Sequence, residues 1–192
     1  MLINYNPDQP LYLLGKGITS QEICYFISKE INNTVSTIAL EEFYNLEENS
    51  QCILTAQDIH LRIEFLKTAQ NFKRVWPSYI HSHAFVTNLE MIGQGVAIWP
   101  MAYVGYQVKV GDFSCIAQQC NISHGVSMGK NTVLAPMVNI TGSTSIGNNV
   151  VFGMSCIIKD KIHITDNVEF LMNSVVTKDI INSGRYYGNK LA

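Results

Sequence analysis

The stretch IGNNVVFGMSCIIKDKIHITDNV, residues 146–168, decides the fold. It is too apolar for a loop and holds no run with helical spacing. Isoleucine or phenylalanine returns at 146, 152, 158 and 164. Outward from it, the chain divides into hexads from Met91 to Ile180 without an insertion, and the second position of each is apolar, from Ile92 to Val176, with Val86 extending the series. A second column, four residues on, is small or apolar: it includes Val96, Ala102, Ser114, Cys120, Thr132, Val138 and Cys156. A strand alternates with period two and a helix with 3.6, so a period of six with two inward columns marks a hexapeptide-repeat β-helix.

A longer period lies inside the six. Glycine follows the apolar residue at 93, 111, 129 and 147, each 18 apart, and Thr165 takes the next slot. Three hexads therefore make one triangular coil, and the fifteen hexads make five. Glycine and asparagine at such corners are expected to accept a positive φ at low cost. Each coil buries its inward columns against the next.

Residues 1–80 follow another pattern. LYLLG (11–15), TVSTIAL (34–40) and QCILTA (51–56) read as strands. SQEICYFISKE reads as a helix capped by Thr19 or Ser20, with Ile23, Phe26 and Ile27 on one face. DIHLRIEFLKTA (58–69) puts Ile59, Ile63 and Leu66 on one face of a second helix. Alternating strands and helices imply a small, mostly parallel α/β unit, with VWPSYIHSHA (75–84) as its exit. The domain reading is 1–84 for this unit, 85–180 for the solenoid and 181–192 for a tail.

The chain has 192 residues, a net charge of −2 and a sequence pI near 6.2. That balance gives no case for nucleic acid or a membrane surface. No apolar run approaches the roughly 20 residues of a spanning helix, and MLINYNPDQP lacks the pattern of a signal peptide. Cys24, Cys52, Cys115, Cys120 and Cys156 are odd in number without a CxxC, and read as reduced thiols of a cytoplasmic protein.

The hexad series resembles left-handed β-helix acyltransferases, and the whole chain looks like the bacterial sugar O-acyltransferase family of the sialic acid O-acetyltransferase type. That family includes N-acetyltransferases of UDP-4-amino-sugars. Its Gly-x-Gly-Gly loop corresponds to Gly15-Lys16-Gly17-Ile18, and its domain join to Ile80-His81-Ser82-His83-Ala84. Its His-Asp pair and the glycine one coil later fall on His124-Gly125 and Gly142. Its C-terminal stretches fall on Ser174 to Asp179 and on Gly188-Asn189-Lys190-Leu191-Ala192. The left hand of the helix comes from this resemblance alone, against the usual right-handed crossover.

The resemblance implies a Rossmann-like nucleotide-sugar domain in front of the solenoid, a homotrimer with sites between prisms, and acetyl-CoA as co-substrate in surface glycan precursor synthesis. His124 becomes the general base. Gly142, 18 residues on, stacks above it at about 4.8 Å and offers its N–H to the thioester carbonyl. Coenzyme A falls to Gly142, Lys159, Lys178, Gly188 and Lys190, with Lys161 and Arg185 as further cations. Gly15, Lys16 and Gly17, between a strand and a helix, form the phosphate cradle of a nucleotide sugar. Glu41 and Glu42 are poorly placed for a ribose.

The departures are Gly125 in the family's acidic slot, Ala117 for an asparagine and Val133 for a second histidine. The favoured reaction is N-acetylation of a nucleotide-linked amino sugar. The rivals are O-acetylation of a sialic-acid-like sugar, a γ-class carbonic anhydrase, and a non-catalytic solenoid. A carbonic anhydrase needs three histidines on zinc, whereas the solenoid has only His124 and His163, which do not stack; His81 and His83 are not expected to bind metal either.

Overall fold

A computed structural model describes residues 1–31, 34–69 and 71–192. Strand β1 (Leu2–Ile3) leads to β2 (Leu11–Leu14), α1 (Ile18–Glu30), β3 (Val35–Ile38), a 3-10 helix at Leu40–Asn45, β4 (Gln51–Leu54), α2 (Ile59–Ala69) and β5 (Ser78–Ile80). Strands β2, β3 and β4 form a parallel sheet in the order β3-β2-β4. This is a small α/β unit in front of a solenoid. Beyond it the solenoid strands are mostly two residues long and pair in parallel at a spacing of 18 residues: Cys115 with Val133, Asn121 with Asn139, Ser127 with Ser145.

The solenoid has three faces over about six coils. The first runs from β5 through Ala97–Ile98, Cys115–Ile116, Val133–Leu134, Val151–Phe152 and Val168–Phe170 to Gly184–Tyr187. The second runs from Phe85–Val86 to Val175–Val176, and the third from Lys109–Val110 to His163–Ile164. Two segments given other roles by the sequence reading join the first face. Strand β5 pairs Ile80 with Ile98, and the tail pairs Tyr186 with Phe170 before turning back at Lys190–Leu191.

Both inward columns are core. Ile98, Ile116, Ile122, Phe152, Ile158 and Val176 are wholly buried, as are Val96, Val126, Thr132, Val138, Val150 and Cys156. Each fully buried aliphatic side chain contributes about 1.5–3 kcal/mol. Phe152 stacks on Phe170 at 5.2 Å, and Tyr186 lies tilted against Phe170 at 6.0 Å. Large rings thus fill the prism in its C-terminal coils.

The corner glycines serve a different purpose from the one expected. Gly93, Gly111, Gly129 and Gly147 are not among the residues with positive φ. A Cβ on Gly129 would lie 2.6 Å from the carbonyl carbon of Gly147, so these positions are bare because adjacent coils touch there. The left-handed conformation falls two residues later, at Gly95, Phe113, Asn131, Asn149 and Asn167.

The α/β unit packs on the outside of the first face. Leu11, Leu13, Ile23, Ile27 and Ile53 meet Tyr79, Ala97, Cys115 and Val133. Helix α1 starts at Ile18 with Gly17 as its N-cap and no side-chain cap bond. Ser20, an expected cap, lies inside the helix with its hydroxyl 2.8 Å from that of Thr55. On α2 the buried stripe is Arg62, Phe65 and Ala69, while Ile59, Ile63 and Leu66 are half-buried. Arg62 displaces the expected stripe because it joins the two parts of the molecule. Its Nη1 donates to the carbonyls of Leu54 (3.3 Å) and Ala56 (2.6 Å), its Nε to Asn131 Oδ1 (2.7 Å) and its Nη2 to the Phe113 carbonyl. Burial without a carboxylate partner pulls its pKa down to about 10.

No helix among the described residues is long and apolar enough to cross a membrane. All five cysteines are free. Burial pushes the Cys52 and Cys120 thiols up to about 12, which removes them as nucleophiles.

Candidate active site

His124 lies at the edge between the second and third faces, two residues after inward Ile122, and is exposed. Gly142 follows it one coil later. A Cβ on Gly142 would stand 2.7 Å from Cε1 and 3.0 Å from Nε2 of His124, so the imidazole occupies the space that any other residue at 142 would fill. The chain holds the two together through the Ser143 N–H, which donates to the His124 carbonyl at 2.9 Å, while the Gly142 carbonyl accepts from Lys161 N–H at 3.0 Å. Among the described residues the Gly142 N–H has no hydrogen-bond partner, and no side chain hydrogen-bonds the imidazole. The edge thus presents a free base and a free backbone donor one rung apart.

Gly125 has φ +70, and the same slot on other coils is left-handed with a side chain: Gln107, Ser143 and Lys161. The backbone there tolerates a residue other than glycine. A Cβ at 125 would lie 3.3 Å from Ser143 Oγ. Val133 is far from this edge. It points outward from the first face and is buried beneath the α/β unit, so a histidine in its place would sit in a packed seam.

The edge continues through Asp160 to Lys178, roughly 14 Å from His124 over three rungs of about 4.8 Å. Lys159 lies beside it, and the tail folds over its end. Asn189 Oδ1 accepts from the N–H and hydroxyl of Thr177 at 3.0 and 2.8 Å, and its Nδ2 donates to the Lys178 carbonyl at 3.1 Å. Gly188 has φ +60, and a Cβ there would lie 2.9 Å from the Val175 carbonyl. The structure therefore brings Gly142, Lys159 and Lys178 to one edge, whereas Gly188 lies against Val175 of the second face and Lys190 pairs with Tyr187 at the end of the first face. Arg185 is elsewhere, on the first face, paired with Glu169 at 3.4 Å.

A second feature lies in the α/β unit, at the carboxyl ends of β2, β3 and β4. Here a cavity of about 400 Å³ is lined by Gly15, Lys16, Gly17, Glu41, Gln57 and Asp58, among others. The chain leaves β2 toward β3 on one side and returns across it to β4 on the other, so the cavity sits where strand order reverses, the usual ligand position in open α/β sheets. Gly15 is demanded by geometry: its φ is +148, and a Cβ would meet Ser20 Oγ at 2.5 Å and Ala56 N at 2.9 Å. Gly17 has open space around it. Lys16 pairs with Glu42 at 3.2 Å, and the Ala39 N–H together with Lys16 holds that carboxyl below the usual range. Glu42 thus turns to Lys16, and Glu41 reaches the cavity wall. Glu41 sits on the 3-10 helix after β3, an element that leaves no periodic signal in the sequence.

His81 Nδ1 accepts the His83 N–H at 3.0 Å, which removes that nitrogen from any metal. Among the described residues no group of three or more His, Cys, Asp or Glu is placed to hold a metal ion.

No protein-family model and no curated protein matches the chain. Solved structures do. The acetyltransferase domain of PglB from Neisseria gonorrhoeae FA1090 superposes with a TM-score of 0.86 at 16% identity, over 95% of this chain and 98% of that one. PerB from Caulobacter crescentus, in complex with CoA and GDP-perosamine, gives 0.81 at 17% identity over 93% of each chain. WeeI from Acinetobacter baumannii AYE gives 0.75 at 13% identity over 94% and 97%. At these identities the likeness shows the fold, a left-handed hexapeptide β-helix behind a small N-terminal unit.

Proposed function

We propose that the chain is an acetyl-CoA-dependent N-acetyltransferase of a nucleotide-linked amino sugar, with His124 as general base. The observation that carries this reading is the His124 imidazole lying on Gly142, whose N–H is free. The amine nitrogen attacks the thioester carbonyl and gives its proton to His124. The developing oxyanion takes the Gly142 N–H. The carbon–sulfur bond then breaks, and the coenzyme A thiolate takes the proton back from the imidazolium. Lys159, Lys178, Gly188 and Lys190 hold the phosphate end of the coenzyme. The solved structures of like fold that contain CoA with GDP-perosamine, or acetyl-CoA, support the choice of donor and acceptor.

Gly15, Lys16 and Gly17 hold the nucleotide diphosphate at the N-terminus of α1, in a Rossmann-like use of the α/β unit, and Glu41 takes the ribose hydroxyls. This cavity and His124 cannot serve one sugar within one chain. The α/β unit covers the first face, and His124 occupies the edge opposite that face. The site is therefore completed between copies, in a homotrimer whose neighbouring prism brings His124 to the sugar.

The test is thiol release from acetyl-CoA with UDP-, dTDP- and GDP-linked amino sugars, for wild type and His124→Ala. Turnover on one amino sugar that collapses in the variant is expected. Turnover that survives the substitution would remove His124 as the base. Silence with acetyl-CoA bound would turn the search to sialic-acid-like hydroxyl acceptors, and silence without binding would favour a non-catalytic solenoid.

A further inference from the structure

A cavity of about 580 Å³ lies between α2 and the edge joining the third and first faces, away from both features above. Its size falls within the range of small-ligand sites, roughly 300–1,000 Å³. Phe72, more than a third exposed, and Phe113 give it aromatic walls. Three cations line it, Lys67, Arg74 and Lys130, against one carboxylate, Asp112. Lys130 pairs with Asp112 at 3.1 Å, and Lys67 with Glu64 at 3.1 Å. Arg74 has no ion-pair partner among the described residues; its guanidinium lies over Phe43 and Phe72, 4.9 and 5.9 Å from their centroids, and its Nη atoms donate to the carbonyls of Phe43, Leu46 and Glu47. The wall therefore keeps one positive charge without a carboxylate on it, Arg74, beside aromatic carbon, and the side-chain amide of Gln94 stands at its rim.

We infer that this cavity binds an anionic sugar, one carrying a carboxylate or a phosphate. The C–H face of a pyranose suits an aromatic wall, its hydroxyls suit the amide rim, and its charge suits the unpaired charge of Arg74. The cavity is also joined to the nucleotide cavity. Arg62 holds the Phe113 carbonyl and Asn131 on this side, and the Leu54 and Ala56 carbonyls on the other. One guanidinium thus ties the Phe113–Asn131 wall to the loop beside Gly15.

The experiment is calorimetric titration of the full chain with glucuronic acid, glucose 1-phosphate, glucose and inorganic phosphate, with no substrate present. Saturable binding of the sugar acid or the sugar phosphate is expected, tighter than glucose or phosphate alone. The arm that binds names the anion. Lys130→Glu and Gln94→Ala, both solvent-facing changes, are expected to weaken it about tenfold or more with melting unchanged. Lys16→Ala is expected to leave it intact. Silence from all four probes, phosphate binding as well as the sugars, or loss of binding only in Lys16→Ala would each overturn the proposal.

Discussion

Two edges of the prism share one backbone and use it differently. Both turn through a left-handed residue on every coil, at Asn131, Asn149 and Asn167 on one edge and at Gln107, Gly125, Ser143 and Lys161 on the other. On the first edge the side chains bond each other. Asn131 Nδ2 donates to Asn149 Oδ1 at 2.9 Å, Asn149 Nδ2 to Asn167 Oδ1 at 3.0 Å, and Arg62 meets the first amide of the ladder. Among the described residues the second edge has no such ladder, and the His124 imidazole and the Gly142 N–H are left without partners. Amides that bond one another from coil to coil hold the stack together. An edge that leaves a base and a donor unsatisfied side by side is ready to bind what the protein itself does not supply.

Substitutions can break this contrast from either side. The largest effect is expected for His124→Ala, which should lower kcat by about 10²–10⁴ while leaving thermal unfolding unchanged. Arg62→Leu should act on stability instead. It strips four acceptors of their donor, two of them in fully buried bonds, and should cost about 3 kcal/mol in a urea titration. Gly142→Ala separates the two kinds of effect on the site edge. The added methyl would displace the imidazole and lower kcat roughly tenfold or more with little change in urea midpoint. On the ladder edge, Asn149→Ala should do the reverse, with activity kept and about 1–2 kcal/mol of stability lost. The smallest change, Gly125→Asp, sharpens the contrast. A carboxylate beside His124 favours the protonated imidazole, so the acid limb of the rate profile should move to higher pH. The left-handed slot accepts aspartate better than most residues.

The coils could be read before the structure because their signal is repetition. An apolar residue every sixth position leaves one way to bury all of them. Gly142 could be placed over His124 by counting one coil. What counting missed was the outward side of the first face. Ala97, Cys115, Val133 and Val151 form an apolar column in the slots that hold Lys109, Ser127, Ser145 and His163 on the third face. That column marks where the α/β unit docks, and so which edge lies opposite it. Arg62 was illegible for another reason. An arginine three residues before Phe65 on a helix normally faces water, and only the carbonyls of Leu54, Ala56 and Phe113, brought together by the fold, let it go inside. The glycines at 93, 111, 129 and 147 were rightly located and wrongly explained, because closeness between coils is a property of the stack and not of the local chain.

The most direct test of the account is to mix two inactive copies. His124→Ala removes the base. Gly17→Asp places a carboxylate in the phosphate cradle, where the added side chain meets open space and the chain should fold normally. Each variant alone should be silent in the thiol-release assay. Co-expressed in equal amounts, they should recover about a quarter of the wild-type rate, the share of sites in a randomly mixed cyclic trimer that pair an intact His124 with an intact cradle. A mixture as silent as its parents would contradict the claim that base and nucleotide cavity come from different copies.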